Sequence, residues 1–492
     1  MNVIDQLIGF VSPQAGLRRV RARVATDALT RRYEGAAVGR RTEGWVASGT
    51  DANAEVGPAL SRLRDRARDL VRNNAYAAKA VTALATNLIG TGIIPRARAD
   101  DPALAEAADV LWSRFVRECD AGGHTDFFGL QTLIARTMVE SGECLVRLRR
   151  RQTGNDLVVP FQIQVLEPDH LDSGRDAELS DGRYIRHGIE FDPLGAPAAY
   201  WLFPRHPGDC WFGGGTSVRV PAGDVLHVYD MLRPGQFRGV TWFAPALMKL
   251  RDLDDFDEAE LVRKKIEACF CAFVFGGDTE ETIADASTDD QGKRIERFRP
   301  GMITYLPPGR DVRFGQPSSS PGYAECARVQ LHAVAAALGL TYELLTGDLS
   351  QVNYSSIRAG LLEFRRRIEQ LQWNVLVPGL CRPVWRRFVD TAQAAGVLGP
   401  GEIDAEWTPP RFEAVDPLKD VQADILAVRA GFMTMKEAIA RQGYDPAAVL
   451  AEIAATFAEI DRLGIVLDTD PRKSTRTGQD KPMQQMEGHP DA

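Results

Sequence analysis

The first strong periodicity in the chain is that of a helix with one buried face. Between residues 60 and 88, apolar side chains recur at close to whole turns, which predicts a helical segment. Gly90 and Gly92 end this segment, and the pair Asn73-Asn74 predicts a break inside it. The apolar stripe consists of Leu63, Leu70, Ala77, Ala80 and Leu84. Two further helices are predicted at 102–119 and 127–140.

The pattern then changes to that of β-structure. Residues 143–150 and 157–166 are two β-prone runs separated by a polar turn, and we expect them to pair as a hairpin. A second hairpin is predicted over 184–203, with Asp192-Pro193-Leu194-Gly195 as its turn. Residues 225–229 are predicted to form another strand.

Helical spacing returns after Gly239 with a long and thinly apolar helix of about 25 residues. The stretch 269–318 combines a short strand at 272–275, an acidic polar helix or loop, a strand at 302–306 and an exit rich in Pro, Gly and Ser. This composition indicates a small α/β insertion between two helices. The second of those helices is predicted at 323–338.

A polar loop at 341–356 leads into another long helix with a heptad-like seam, which is typical of a helix packed on other helices. The seam residues are Ile357, Leu361, Phe364, Ile368, Leu371 and Val375. Pro378 and Pro383 are expected to kink or end this helix, because proline lacks the amide donor that a helix interior needs.

The two ends of the chain differ in kind. Residues 1–56 carry many arginines among small and polar residues and predict a solvated basic arm, with a short amphipathic helix at its start. Near the other end, Asp416-Pro417, Thr434 and Asp445-Pro446 are signals for the start of three helices. Residues 468–492 have no periodic apolar positions and predict a disordered tail.

Composition narrows the class of protein. The chain has 492 residues, of which 44% are hydrophobic and 26% charged, and these values are typical of a folded protein with several domains. No apolar run approaches the roughly 20 residues of a membrane helix, so no membrane partner is expected. The formal net charge of −8 argues against a protein that coats DNA generally, since such proteins neutralise phosphates with excess Lys and Arg. Any contact with DNA should be local or weak.

The sequence contains no recognisable catalytic motif, so we expect no enzymatic activity, cofactor or metal. There is no phosphate-binding Gly-x-x-x-x-Gly-Lys-Ser/Thr loop, no Gly-x-Ser-x-Gly and no His-Glu-x-x-His. Seven cysteines without a Cys-x-x-Cys pair argue against a disulfide framework and a zinc site and indicate a reducing compartment. Cys119, Cys269 and Cys271 are expected to be buried thiols. His170 and His227 lie in strand-like contexts, where a hydrogen-bonded, half-buried imidazole is the expected state.

Several segments, in order along residues 30–465, resemble the portal proteins of lambda-like tailed bacteriophages. They are Leu63-Arg64-Asp65-Arg66-Ala67-Arg68-Asp69-Leu70, Gly90-Thr91-Gly92, Leu166-Glu167-Pro168-Asp169, Gly188-Ile189-Glu190, Arg233-Pro234-Gly235-Gln236-Phe237-Arg238-Gly239-Val240 and the run from Leu344 to Ser356. The last is the most specific. The resemblance implies an α+β, helix-rich, multidomain portal fold with β-hairpins in the wing and a small α/β clip.

The resemblance also implies a division of the chain, which the pattern of elements accommodates. The expected parts are a basic arm (1–56), a wing (57–240), a first stem helix (241–268), a clip (269–318), a second stem helix (319–340), a channel loop (341–356), a kinked helix with return to the wing (357–414), a helical crown (415–467) and a tail (468–492). The loop is expected to line a DNA channel through Gly347, Asp348, Ser350, Gln351, Asn353 and Tyr354. Arg263, Lys264 and Lys265 are candidates for stem charges that face this channel.

As implied functions, about twelve copies would form a ring at the capsid vertex, through which double-stranded DNA is packaged and ejected. Expected partners are the terminase large subunit, a head-completion or adaptor protein, and the major capsid and scaffolding proteins. The location would be the virion, after assembly in the bacterial cytoplasm. The alternatives are another ring-forming protein of the head-tail junction and a hydrolase with an unrecognised site. For residues 341–356 the alternative is a plain connecting loop in which Asp348 and Ser350 bind nearby helix-end amides.

Overall fold

The structure is a computed structural model. Most of the described residues lie in five long stretches of the chain. Described are residues 49–152, 157–211, 213–268, 322–412 and 416–467, together with the short pieces 14, 40, 43–45, 47, 272–275, 285–288, 294–297, 311–314, 470 and 472. The chain divides into two compact units, residues 1–55 and 56–492. The predicted amphipathic start of the arm and nearly all of the predicted tail lie outside the described residues.

Thirteen α-helices and fourteen strands are found in the described parts of the chain. The α-helices are α1 (Ala52–Val56), α2 (Leu60–Asn73), α3 (Ala75–Ile89), α4 (Pro102–Glu118), α5 (Phe127–Ser141), α6 (Leu247–Ala268), α7 (Tyr323–Leu338), α8 (Tyr342–Thr346), α9 (Tyr354–Leu371), α10 (Arg382–Ala394), α11 (Pro417–Arg429), α12 (Met435–Arg441) and α13 (Pro446–Leu463). The strands are β1 (Ile94–Arg98), β2 (Glu143–Arg150), β3 (Phe161–Leu166), β4 (Ala177–Glu178), β5 (Tyr184–Arg186), β6 (Ile189–Phe191), β7 (Pro197–Leu202), β8 (Val218–Pro221), β9 (Val225–Tyr229), β10 (Ala272–Phe275), β11 (Asp285–Thr288), β12 (Arg294–Arg297), β13 (Asp311–Phe314) and β14 (Asp404–Thr408). The fold is therefore mixed, with more helix than sheet. No helix among the described residues has the length and apolarity of a membrane span.

The predicted helical break at the asparagine pair is confirmed. Asn74 is extended and its side chain accepts a hydrogen bond from the Ala77 amide at 2.9 Å, which starts α3. The Asn74 amide group also donates to Asp254 of α6 at 2.7 Å, so the break ties this pair of helices to a third.

The main core joins the first helices to α10, which lies almost 300 residues later. Trp112 of α4 packs its ring edge-on against Phe388 of α10 with centroids 5.0 Å apart, and Trp385 lies 5.1 Å from Trp112. All three rings are buried. Such aromatic contacts add to the stabilisation that comes from buried area.

A second, smaller core lies between two sheets. The predicted first hairpin pairs as β2 and β3, and β9 joins the other side of β2 to give the order β3-β2-β9. A five-stranded antiparallel sheet has the order β4-β5-β6-β7-β8. The residues buried in this core come from both sheets: Leu145, Leu171, Ile189, Phe191, Tyr200, Leu202, Val220 and Val225.

The predicted second hairpin is right at its turn and wrong in its first arm. Asp192 Oδ1 accepts from the amides of Leu194 and Ala196, which closes the turn between β6 and β7. The first arm is divided into β5 and β6, because His187 has a positive φ of 49° and Gly188 one of 80°. Because of a tight turn at these two residues, β5, β6 and β7 form an antiparallel meander in place of a two-stranded hairpin.

The long helix after Gly239 begins later than the predicted residue 241. Residues 241–246 form turns in which Phe243 and Ala246 become buried. The Leu247 amide then donates to the Phe243 carbonyl at 2.9 Å, which starts α6. This helix lies beside α7, where the Tyr323 hydroxyl donates to Asp257 at 2.9 Å and its ring stacks on Phe256. α7 has the bounds that were predicted for the second of the two helices, 323–338.

The insertion between α6 and α7 contains more strand than predicted. The strand at 272–275 is confirmed as β10, and it pairs antiparallel with β13. β11 and β12 pair in the region predicted as an acidic helix or loop, so that prediction is wrong there. The predicted strand at 302–306 lies outside the described residues. Strand formation in polar sequence depends on the partner strand, which local composition does not reveal.

The long helix after the polar loop does not end at its prolines. α9 continues into a π-helical segment, Gln372–Cys381, which continues into α10. Pro378 lies inside the π-helical segment and Pro383 in the first turn of α10. A wider helical turn leaves room for a proline ring, so the chain passes these residues without stopping.

The C-terminal region contains the three predicted helix starts. The side chains of Asp416, Thr434 and Asp445 each accept a hydrogen bond from an amide in the first turn of α11, α12 and α13. None of these three helices contributes a buried residue. A two-stranded pairing of β1 with β14, which was not predicted, leads the chain into this region.

Candidate functional site

The predicted channel loop is shorter than 341–356, because helices enter it from both sides. α8 occupies Tyr342–Thr346 and ends at Gly347, which has a left-handed φ of 75°. Tyr354 is the first residue of α9, and the Asn353 side chain accepts from the Ser356 amide at 2.9 Å to start that helix. The irregular segment is therefore 347–353, and Tyr354 belongs to a helix.

Within this segment, Asp348 is held by local hydrogen bonds. Its Oδ1 accepts from the Ser350 amide at 2.9 Å, and its own amide donates to Thr346 Oγ1 at 3.1 Å. Hydrogen bonds from Ser350 hold the pKa of Asp348 below its usual value, so the carboxylate stays charged. The Ser350 amide lies inside the irregular segment and not at a helix end, and Ser350 and Gln351 are exposed.

The three predicted stem charges differ in their surroundings. Arg263 Nε donates to Glu260 Oε2 of the same helix at 2.8 Å, so much of its charge is balanced within α6. Lys264 and Lys265 are exposed. The structure thus brings a salt-bridged arginine and two exposed lysines to one end of α6.

A buried ion network that the sequence analysis did not predict lies in the middle of the chain. Glu143, the first residue of β2, is fully buried. Arg238 Nε donates to both of its carboxylate oxygens at 3.0 Å. His227 Nε2 lies 2.9 Å from Glu143 Oε2, and the Gly239 amide donates to the same oxygen at 2.7 Å. Arg64 adds a further donor at 3.3 Å. A buried carboxylate with this many donors is fully paired.

Asp169 extends the network to the surface. It lies 3.2 Å from Arg64 Nη1 and accepts from Arg68 Nη2 at 2.7 Å. Arg64 therefore bridges Glu143 and Asp169, and joins α2 to β2 and to the turn after β3. We use the name buried ion network for Arg64, Arg68, Glu143, Asp169 and Arg238.

Four of these five residues belong to the segments that carry the resemblance. Arg64 and Arg68 come from the first segment, Asp169 from the third and Arg238 from the fifth. These segments are far apart in sequence, yet the fold brings them to one place. These segments therefore contain residues that pair with one another in the fold.

Two glycines allow the backbone to approach Glu143. A Cβ on Gly239 would lie 2.2 Å from the Gly142 carbonyl oxygen, and a Cβ on Gly142 would lie 2.2 Å from the Val240 carbonyl carbon. Neither position can hold a side chain without moving backbone. The Gly239 amide reaches the carboxylate for this reason.

The electrostatics of the network favour charged acids. Burial alone would raise the pKa of Glu143, but Arg238 and His227 lower it by more. The pKa of Glu143 is therefore well below its usual range. Burial likewise opposes ionisation of Asp169, and Arg64 and Arg68 overcome it to lower its pKa. Both carboxylates stay ionised through the physiological range.

Of the described thiols, Cys119, Cys144 and Cys381 are buried, as expected for Cys119, and Cys210 and Cys326 are exposed. Burial raises the pKa of Cys119 to about 12 and raises the pKa of Cys144 and Cys381 as well, so these thiols are not nucleophiles. His170 Nδ1 makes a hydrogen bond with the Phe203 carbonyl at 3.0 Å. Cys269 and Cys271 lie outside the described residues.

One group of side chains has the geometry of a metal site but not its charge. Glu167, Asp169 and His206 bring three ligand atoms within 4.8 Å of one another. Arg68 lies 3.6 Å from Glu167 and 2.7 Å from Asp169, so a guanidinium already supplies the positive charge. The group is an extension of the buried ion network.

The sequence held a signal for the network that the pattern analysis did not use. Arg64 lies on the buried stripe of α2, where the neighbouring stripe positions are Leu60, Ala67 and Leu70. An arginine on such a stripe requires a buried acid. The identity of that acid depends on pairing over 79 residues of sequence.

Comparison with known proteins gives one family. The model of the family described as phage portal protein, lambda family, matches residues 38–372 of this chain.

Individual relatives carry the same description. A probable portal protein of Halomonas phage phiHAP-1 is 29% identical over 461 residues, covering 89% of this chain and 88% of that protein. Portal protein B of Escherichia phage lambda is 22% identical, covering 85% and 87%. Among solved structures, the neck of a native gene transfer agent particle is matched with a TM-score of 0.45 at 17% identity, covering 80% of this chain and 94% of that one.

Proposed function

Since the chain belongs to the lambda family of phage portal proteins, we propose that it assembles into a ring of about twelve copies at the capsid vertex. The centre of the ring is a channel for double-stranded DNA, used first for packaging and later for ejection. The observation that carries this proposal is the family match over residues 38–372. It includes α6, α7 and the segment after them.

Exposed apolar side chains on α6 and α7 support assembly. Leu261 and Val262 of α6 are 55% and 46% exposed, and Val329 of α7 is 66% exposed. Covering exposed apolar side chains removes apolar surface from water, which favours association. In the proposed ring, copies of the same helices on neighbouring subunits cover them.

The stem and clip assignments rest on how the elements are connected. α6 and α7 lie side by side, and residues 269–322 connect the end of one to the start of the other. An insertion placed there projects from one end of the helix pair. We assign it as the clip, which docks the terminase large subunit during packaging and a head-completion or adaptor protein afterwards.

The segment 347–353 is our candidate for the inner wall of the channel. Ser350, Gln351 and Asn353 are exposed and uncharged, and Asp348 is a carboxylate. Such a wall exchanges hydrogen bonds with water and phosphates without a cluster of cations to hold DNA. The sliding DNA then meets little resistance.

The remaining assignments complete the proposal. Residues 57–240 form the wing, which contacts the major capsid and scaffolding proteins, and 416–467 form the crown. The protein acts in the virion as a passive gate, and nucleotide hydrolysis belongs to the separate terminase.

Negative-stain microscopy of the purified protein tests this proposal. We expect rings of about twelve subunits with an open centre wide enough for a DNA duplex. Monomers at every protein concentration, or closed discs, would refute it. ATP turnover by the pure protein that a point mutation in this chain abolishes would refute the assignment of a passive role.

A further inference from the structure

A groove lined by arginines lies at the open end of the second core. Its volume is about 420 Å³, and its lining includes Arg147, Arg149, Arg150, Arg151, Arg219 and Asp224. Side chains alternate along β2, so Arg147 and Arg149 lie on the same face as Leu145 and Glu143. That face is apolar at Leu145 and becomes cationic at Arg147 and Arg149.

The carboxylates near the groove are already engaged. Asp224 lies 3.1 Å from Arg387. Glu190 is shared between Arg219, at 2.8 Å, and Arg183.

The other arginines have little to balance them. Arg151 donates to the neutral amide oxygen of Gln162 at 2.8 Å, and Arg149 Nε is buried with no hydrogen-bond partner. For Arg147, Arg149 and Arg150 no carboxylate lies within 4.0 Å among the described residues, which leave out 153–156. Arg183 also pairs with Asp181 at 2.6 Å, so seven guanidinium groups in and around the groove meet three carboxylates.

This crowding has an electrostatic consequence for the groove. Burial lowers the pKa of Arg147 and the neighbouring Arg149 lowers it further, whereas the carboxylate of Asp224 opposes this shift without reversing it. Like charges held together on strands repel one another, and an anion between them relieves that repulsion. The whole chain carries a net charge of −8, so the groove is a local exception to its charge balance.

We propose that this groove is a second DNA-contact site, separate from the channel, which binds the phosphate backbone of double-stranded DNA without reading its sequence. Guanidinium groups bind phosphate oxygens through two parallel hydrogen bonds, and arginines supply all the cations of the groove.

The lining favours nucleic acid over an acidic protein. Protein interfaces are built around apolar or aromatic anchors. In this groove the apolar side chains Leu148 and Val220 are buried, at 4% exposure each, Pro221 is the one exposed apolar residue of the lining, and no aromatic residue lines it. A ligand held by charge alone fits a polyanion, and the absence of aromatic rings leaves nothing for bases to stack on.

The test measures binding of fluorescein-labelled 30-base-pair duplexes of two sequences by full-length protein, at 50 to 200 mM salt. The variant is Arg149→Gln with Arg150→Gln. The matched control is Arg66→Gln with Arg72→Gln, which makes the same charge change at two exposed positions of α2. Thermal unfolding checks the fold of both, and the exposed Arg150→Gln alone serves if the double variant does not fold. The channel is the same in the variant and in the control, so the difference in binding between them is independent of the channel.

We expect wild-type protein to bind both duplexes alike and more weakly as salt rises. The double variant should bind at least about tenfold more weakly at 50 mM salt, with a salt dependence smaller by about 1.8 in log-log slope, since each phosphate contact contributes about 0.9. The control should stay within about twofold of wild type. Unchanged binding by the double variant, or no binding by wild type, would overturn the proposal. So would tighter binding of a labelled twelve-residue glutamate peptide through the same arginines, because the partner would then be an acidic protein.

Discussion

The regions that we propose as wing (57–240) and crown (416–467) differ in how far their side chains are buried. In the wing, α2, β2 and β9 are tied together by Glu143, which is fully buried and paired with Arg238 and Arg64. In the crown, α11, α12 and α13 contribute no buried residue at all. Leu426 and Phe432 are 63% and 87% exposed there. The first region has a core of its own, whereas in the second Met433 is buried and the apolar side chains of the helices are only half-buried or exposed.

This difference teaches where assembly matters. A region with its own core and a paired internal charge network folds without neighbours. Helices that are capped correctly but bury nothing keep little free energy of folding of their own, because most helical stability in proteins comes from tertiary packing. We therefore expect the wing to set the stability of the monomer, and the crown to depend on the ring.

The largest effect is expected from breaking the wing network. Glu143→Gln leaves Arg238 buried without a carboxylate, and a broken buried pair costs about 3–5 kcal/mol. Urea unfolding of the full chain, followed by tryptophan fluorescence, measures it. As control, Asp255→Asn removes the exposed Arg251 pair of α6 and should cost less than about 1 kcal/mol. Equal losses for both variants would contradict the role of burial.

The same substitution predicts how stability depends on pH. The pKa of Glu143 is lower in the folded protein than its ordinary value of 4.5, so its contribution is fully present above that pH and is lost as pH falls below it. The difference in unfolding free energy between wild type and Glu143→Gln should be constant from about pH 7 to 5 and should shrink below about 4.5. A difference that changes mainly between pH 6 and 8 would assign the effect to another group.

The crown should respond in the opposite manner. Leu426→Ser with Phe432→Ser removes exposed apolar side chains, so the unfolding free energy of the monomer should change by less than about 0.5 kcal/mol. In the ring these side chains are covered, and their loss should raise the protein concentration needed for assembly by about tenfold or more. Analytical ultracentrifugation over a concentration series measures it. Unchanged assembly would show that the crown is self-sufficient.

The loop 347–353 is expected to affect only transport. Asp348→Lys with Gln351→Lys would add a basic collar around the bore and should slow packaging several-fold at low salt and less at high salt, because salt screens the attraction to phosphates. Ring assembly should be unaffected. Normal packaging rates at every salt concentration would remove this loop from the DNA path.

Local features of the fold could be predicted from the sequence, and distant pairings could not. Asn74, Thr434 and Asp445 act within one turn of their own helices, so the side chain and the next residues contain all the information. The pairing of β1 with β14 joins residues that are about 310 apart, and short strands carry little signal of their own.

The candidate sites divide in the same way. The polar composition of segment 347–353 could be read from the sequence, but the two helices that enter the predicted loop from either side could not. The buried ion network was not predicted. A single acid at the start of a strand gives no signal in the sequence, and only the fold shows that Arg64 and Arg238 lie beside Glu143. The arginine run of β2 was visible in sequence, but the groove needs β8 from the second sheet.

Hydrogen exchange measured on dilute monomers and on assembled rings tests the contrast between wing and crown most directly. Amides in α2, α3, α5 and β2 should exchange slowly and equally in both states. Amides in α11, α12 and α13 should exchange quickly in the monomer and at least about tenfold more slowly in the ring, since local opening reflects local packing. Equal protection of the crown in monomer and ring would contradict the account.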